Sequence, residues 1–323
     1  MLDSQLSALR EKFATRLQEN VRLKNYTTIR AGGIADALLI VYDADELERF
    51  TKIVWELDLP ILILGGGSNI LVSDRGVRGV VVINHAHNIS IHESDDGFCV
   101  HAESGALMSK VARLAINRHL AGLEWAATLP GTVGGAVFGN AGCFGKETSH
   151  NFMQAEILHR YKGKSIYTNQ DMAFEYRSSI LKRAEEPFVA LTADFSVCPG
   201  DREESEMKVE TYRQRRLKNQ PPGPSMGSIF RNPPEEKAGR LIESVGLKGI
   251  THGGAEISSQ HGNFIINSSN GSAQDIWYLI QTIENKVHQK YGIFLHPEIE
   301  LIGDWDAQTV QEFARYQTVQ ENA

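Results

Sequence analysis

The sequence predicts a strand-rich α+β protein with more than one lobe. Three observations carry this. At 323 residues the chain is long for a single hydrophobic core, so two or three lobes are expected. Segments of strand length, such as ILIL (61–64), VRGVVVI (77–83) and FVALTADFSV (188–197), recur between shorter helical patterns. Finally, the glycine runs do not obey the nucleotide-fold patterns. In GGGSN, Ile70 stands where a dinucleotide fingerprint needs its last glycine. In LPGTVGGAVFGNAGCFGK (129–146), the phosphate-loop pattern around Gly145 and Lys146 meets Asn140 and Glu147 at its two other required places.

Taken in order, Leu2, Leu6, Leu9, Phe13 and Leu17 predict an opening amphipathic helix with Asp3 or Ser4 as N-cap. Leu47, Phe50, Val54 and Leu57 repeat the helical spacing up to Pro60. The strand ILIL follows and runs into GGGSN, after which LVSDRG reads as a turn. ISIHESDDGFCVHA (89–102) alternates about an Asp96-Gly97 turn and predicts a hairpin. Leu107, Val111 and Leu114 mark one face of the next helix.

Beyond the long glycine run, AEILHR, KSIYT and FVALTADFSV return to sheet. CPGDREESE (198–206) breaks the apolar pattern and is a candidate domain boundary. A charged helix through Arg216, the Pro-rich QPPGPS, a helix over 238–245 and a helix carrying Ile276, Leu279, Ile280, Ile283 and Val287 up to Gly292 complete the pattern. The polar tail after Trp305 is expected to be loosely ordered.

Composition removes several classes. With 33 Lys and Arg against 40 Asp and Glu, a net charge of −7 provides no basic face for nucleic acid. Cys99, Cys143 and Cys198 are too few and scattered for a disulfide framework or a Cys-x-x-Cys metal site, and fit a reducing cytoplasm. His85 and His87 have no third ligand nearby and read as loop residues. The N-terminus carries Asp3, Arg10, Glu11 and Lys12 where a signal peptide needs an apolar core, and no run approaches the ~20 apolar residues of a membrane span.

Several stretches have residues suited to chemistry. Bare glycine backbone suits a flat or anionic ligand, and equally tight turns and close packing. In AFEYRSSIL, Tyr176 and Arg177 are adjacent in a predicted strand or its end and so face opposite ways. Arg177 needs either a structural partner or an anionic ligand. Ser228 in PSMGSIFRNP is a turn or cap residue in the commonest reading. Glu298 in LHPEIELIG could hold a proton if it points inward. RQRRLK (213–218) is a solvated helix face or a diphosphate clamp.

In their order, YTTIRAGG, LGGGSNILVSD, GLEWAATLPGTVGGAVFGNAG, FEYRSS, PSMGSIFRNP, AGRLIESVGLKG, ISSQHGNFIIN and HPEIELIG resemble the UDP-N-acetylenolpyruvoylglucosamine reductase family, flavoenzymes of peptidoglycan precursor synthesis. The resemblance spans nearly the whole chain. It implies a two-lobed FAD-binding domain of the vanillyl-alcohol oxidase type over 21–198, with lobes of about 21–83 and 84–198. A C-terminal α+β substrate domain would cover 205–303, between an N-terminal helix (1–20) and a tail (304–323).

By the same resemblance, non-covalent FAD lies against Gly65, Gly66, Gly67, Ser68, Asn69, Pro130, Gly131, Gly134, Gly135, Asn140, Ala141 and Arg177. NADPH is the co-substrate, Arg177, Ser228 and Glu298 are catalytic with Ser228 as proton donor, and Tyr176, Arg216 and Asn232 meet a sugar-nucleotide substrate. The short spacings from Arg177 to Ser228 and on to Glu298 match the shorter form of the family. Met226 and Cys143 stand where alanine is more usual. A cytoplasmic monomer is expected. Two other readings compete with this one: an FAD oxidase that tethers its flavin, for which Cys143 is the one candidate residue, and a sugar-nucleotide regulator, which would have no need of Ser228 and Glu298 together.

Overall fold

The computed structural model describes residues 1–94 and 97–318. The expected turn residue Asp96 and the last five residues of the expected tail lie outside them. The chain forms two compact units. The first contains Met1–Gln18, Leu38–Gly66 and Gly79–Arg216, and the second Glu19–Ala37, Gly67–Arg78 and the chain from Leu217 onward. This interleaved division departs from the linear boundaries expected at 198 and 205. Two contacts account for it. Ile70–Val72 pairs in parallel with Glu300–Ile302, drawing an early segment into the second unit. Beyond the expected boundary, Ser205 of helix Arg202–Asn219 donates to the Glu124 carboxylate at 2.9 Å and Val209 joins the core of the first unit, so that unit runs on to Arg216.

The first unit is built on an antiparallel sheet in the order Gly163–Thr168, Phe152–His159, Phe188–Pro199, Gly97–Glu103 and Ile89–Ser94. Along Phe188–Pro199 every second residue is buried, as a strand with one face on a core requires. Helices Met108–Asn117 and Val133–Gly139 supply that core, placing Met108, Val111, Ala115, Val133 and Val137 with Val100 and Phe195. Leu107, expected on the buried face, is instead the N-cap and 39% exposed, because the helix starts one residue later and presents Met108 to the core. A second sheet runs Ile61–Leu64 parallel to Val77–Asn84, with Ile61 opposite Val80.

The opening helix, Asp3–Phe13, buries Leu9 and Phe13. Its N-cap is Leu2, with no side-chain cap, in place of the expected Asp3 or Ser4. The chain turns at Ala14 (φ 46°), which leaves Leu17 outside the helix. Helix Ala44–Glu56 follows the expected spacing and is capped by Asp43, whose carboxylate accepts from the Glu46 amide at 2.7 Å.

The second unit packs around helix Ala273–Tyr291. Its Ile276, Trp277, Leu279, Ile280, Ile283 and Val287 are fully buried. Ser272 and Asp275 cap one another at its start, and Gly292 ends it in the left-handed region at φ 69°. A small antiparallel sheet of Thr251–His252, Ala255–Ile257 and Ile265–Asn267 packs nearby, with helix Ala238–Ser244. The tail is more regular than expected. Ala307–Thr318 is a helix whose Phe313 packs on Trp277 at 6.2 Å between ring centres, and Asp306 caps it through the Thr309 amide at 2.9 Å.

Candidate active site

In the first unit, two glycine loops meet. Gly65 and Gly66 leave strand Ile61–Leu64 and lie against Gly131 and Thr132. A Cβ at Gly65 would stand 2.4 Å from the Thr132 hydroxyl oxygen, and one at Gly66 would meet only the Gly131 Cα, at 3.6 Å. Thr132 caps helix Val133–Gly139. The two glycines that follow it serve different purposes. Gly134 faces the protein: its amide donates to the Ser104 carbonyl at 2.7 Å, and a Cβ would press on Ser104 at 3.2 Å. Gly135 is exposed, and a Cβ there would meet only the Thr132 oxygen at 3.7 Å.

The Val133 amide is also spent within the protein, donating to Ala106 O at 2.8 Å. The bare surface is therefore Gly66, Gly135 and exposed Pro130, beside Gly131. A backbone cradle without side chains fits a flat cofactor pressed close to the chain. Ala141 is tied at both ends, donating to Ala136 O at 3.0 Å and accepting from the Thr148 amide at 2.9 Å.

Tyr176 and Arg177 are not in a strand. Glu175 and Ser178 exchange both backbone bonds, at 3.0 and 3.1 Å, which makes Tyr176 and Arg177 the two central residues of a tight turn with Arg177 at φ 58°. The expected opposite facing is replaced by stacking: the Arg177 guanidinium carbon lies 4.9 Å from the Tyr176 ring centre. Arg177 Nη2 donates to Gly142 O at 2.9 Å, so the turn reaches back to the glycine run. Asn140, fully buried, donates from Nδ2 to Glu175 O at 2.9 Å and accepts the Ser149 amide on Oδ1 at 3.0 Å. Arg216 donates to the Thr128 hydroxyl at 3.0 Å and lies 5.7 Å over the Phe144 ring, itself stacked on Tyr212. Between these arginines, burial pushes the Cys143 thiol pKa up, partly offset by the positive charges of Arg216 and Arg177.

In the second unit, Gly67 takes φ 58° with its carbonyl accepting from the Thr28 amide at 3.0 Å, and a Cβ there would collide with Tyr26 O at 2.1 Å. Ser68 beside it is half-buried. Asn69 donates to the Glu298 carbonyl at 3.1 Å and accepts the Glu300 amide on its own carbonyl at 3.0 Å, so its side chain holds the Glu298 segment. PSMGSIFRNP and HPEIE run antiparallel: Phe230 pairs with Pro297, Arg231 N donates to His296 O at 2.9 Å, and Glu298 N to Ile229 O at 2.7 Å. Ser228 and Glu298, both half-buried, thus sit on neighbouring segments. Asn232 uses its side-chain oxygen on the Ala238 amide at 3.1 Å, at the start of helix Ala238–Ser244.

Nothing in the local sequence marks Asn263 for a role. Its buried side chain accepts the Phe230 amide at 2.9 Å and donates to the Phe230 carbonyl at 2.8 Å, holding the segment that follows Ser228. Only its place in ISSQHGNFIIN pointed to it.

Residues 35–168 match the FAD binding domain family, and 218–302 match the UDP-N-acetylenolpyruvoylglucosamine reductase C-terminal domain. The UDP-N-acetylenolpyruvoylglucosamine reductase of Caldanaerobacter subterraneus subsp. tengcongensis is 40% identical over 291 residues, covering 90% of this chain and 94% of that protein. The Bacillus subtilis reductase is 37% identical over 303 residues, covering 94% and 99%.

The chain belongs to this family. The crystal structure of the UDP-N-acetylenolpyruvylglucosamine reductase of Thermus caldophilus superposes with a TM-score of 0.75 at 31% identity, covering 88% of this chain and 98% of that one. The protein is thus an FAD-dependent oxidoreductase of peptidoglycan precursor synthesis, built from an α+β FAD-binding domain and the C-terminal domain of the reductase family. Among the described residues, no helix is long and apolar enough to cross a membrane.

Proposed function

We propose that this reductase converts UDP-N-acetylglucosamine enolpyruvate to UDP-N-acetylmuramate with NADPH as hydride donor and Ser228 as proton donor to carbon. FAD, when bound, supplies the hydride relay between NADPH and the enolpyruvyl carbon. The chain's own residues do the rest. Gly65, Gly66, Pro130, Gly131 and Gly135 offer backbone to the cofactor, with Gly67, Ser68, Asn69 and Ala141 shaping the loops around it. Arg177, fixed at its turn, faces the negative charge that develops on the substrate carboxylate. Ser228 delivers a proton to the carbon next to the one receiving hydride, and Glu298 assists at the same carbon. Tyr176, Arg216 and Asn232 contact the substrate.

The observation that carries this reading is the bond from Glu298 N to Ile229 O at 2.7 Å, which holds a carboxylate and a hydroxyl residue on adjacent segments. Cofactor retention without a covalent bond is supported by the raised pKa of the Cys143 thiol, which disfavours the reactive thiolate. The free thiols of Cys99, Cys143 and Cys198 support a reducing, cytoplasmic setting, and we read the enzyme as a monomer.

Stopped-flow separation of the two half-reactions tests the assignment. Ser228→Ala should reduce its flavin with NADPH at close to the normal rate and fail in reoxidation by the enolpyruvyl substrate, by roughly 10² to 10⁴ in rate. Equal slowing of both half-reactions would make Ser228 a structural turn residue.

A further inference from the structure

Asn140 ends the glycine helix in the left-handed region, at φ 44°, and its side chain has no exposure. Both ends of its amide are committed. Ser149 N–H can only donate and Glu175 C=O can only accept, so the orientation of the amide is set by its partners: Oδ1 toward Ser149 at 3.0 Å and Nδ2 toward Glu175 at 2.9 Å. Glu175 is the residue immediately before the Tyr176–Arg177 turn. Arg177 occupies a positive φ that a side chain with a Cβ adopts only where its surroundings over-determine it. Those surroundings are a short set of bonds to the glycine segment: Asn140 Nδ2 to Glu175 O, Ser179 Oγ to Phe138 O at 2.7 Å, and Arg177 Nη2 to Gly142 O at 2.9 Å.

We propose that Asn140 is a positioning residue for Arg177: its side-chain amide clamps the turn to the end of the glycine helix, so that the guanidinium is held at one place before substrate arrives. The proposal rests on the reading of Arg177 above. It also changes the role expected for Asn140, whose side chain is occupied by protein partners and is not offered to the cofactor.

The clamp needs a donor at one end and an acceptor at the other, and Asn140→Asp separates the two. An aspartate tolerates the left-handed backbone and keeps the acceptor for Ser149. When ionised it sets an oxygen against Glu175 O, and when protonated it can donate there again. Burial disfavours the charged form and moves this titration above the ordinary carboxylate range.

Asn140→Asp holoenzyme should therefore retain FAD and reduce it with NADPH at the normal rate. Its kcat should fall about 10- to 100-fold as pH rises through the new titration and recover on acidification, a limb that the wild-type profile lacks. Asn140→Gly, which relaxes the backbone but removes both bonds, should lose kcat to a similar extent at every pH. A wild-type kcat and pH profile in Asn140→Asp, in an enzyme that Arg177→Lys inactivates, overturns the clamp and leaves the Arg177 reading intact. Full activity of Arg177→Lys and Arg177→Ala overturns that reading and the clamp with it. Loss of FAD from both Asn140 variants also overturns the proposal, because the side chain would then serve the cofactor site as a whole.

Discussion

The Glu298 amide donates to the Ile229 carbonyl at 2.7 Å, and Asn69 holds the Glu298 carbonyl from its other side at 3.1 Å. The backbone that carries the carboxylate is thus fixed independently of the carboxylate itself. Glu298→Gln should keep these bonds, bind substrate within a few-fold of normal and lower kcat by roughly 10² to 10⁴. Steady-state kinetics decide it: a raised KM with unchanged kcat would make Glu298 a binding residue.

Neighbouring glycines should respond differently to the same substitution. Gly134→Val forces a branched side chain onto Ser104, where a Cβ already lies 3.2 Å away, and should cost about 1–3 kcal/mol of stability in the flavin-free protein. Gly135→Val adds its methyl groups on the exposed side, where only the Thr132 oxygen lies within 4 Å, and should fold normally yet bind no FAD. Thermal unfolding and flavin absorbance of the two purified variants separate the cases. Full flavin content in Gly135→Val would exclude the cradle.

Arg177→Lys can keep a charge near the turn but cannot reproduce a planar, forked guanidinium that bonds Gly142 O and matches the shape of a carboxylate. Its turnover should drop by about 10²-fold or more with FAD retained, as for loss of one preorganised donor facing developing charge. Turnover equal to wild type would remove Arg177 from the mechanism.

His159 is 7% exposed with neither ring nitrogen hydrogen-bonded, and burial, helped by Lys162, lowers its pKa from 6.5. The unfolded chain therefore binds the proton more readily. This contribution to stability is present above pH 6.5 and is lost as pH falls toward the folded value. His101, hydrogen-bonded to Asp194 at 2.6 Å, is shifted upward and acts in the opposite sense, so the comparison must be between variants. His159→Phe should unfold at a midpoint less sensitive to acidification between pH 7 and about 5.5 than the wild type. An unchanged slope in denaturant titrations would show that His159 does not carry the effect.

By itself, the sequence determined the elements with strong periodicity and the kind of chemistry. Ile276 through Val287 specify a buried helix because their spacing leaves one apolar face, and Gly292 stops it by entering the left-handed region at little steric cost. The family, and FAD with it, are legible because eight segments, among them LGGGSNILVSD and GLEWAATLPGTVGGAVFGNAG, stand in the family's order along the chain. Tertiary structure alone decided which glycine serves which purpose. Nothing local distinguishes Gly134 from Gly135; Ser104, in another segment, does. Likewise Arg177 reads as a strand residue until Glu175 and Ser178 pair across it, and Asn140 acts on a carbonyl 35 residues away. Asn69 reads as a loop residue of the flavin site until it is seen to hold Glu298, 229 residues on. Such bonds depend on where the chain returns in space, and a hydrogen bond between distant residues leaves no periodic trace in either segment.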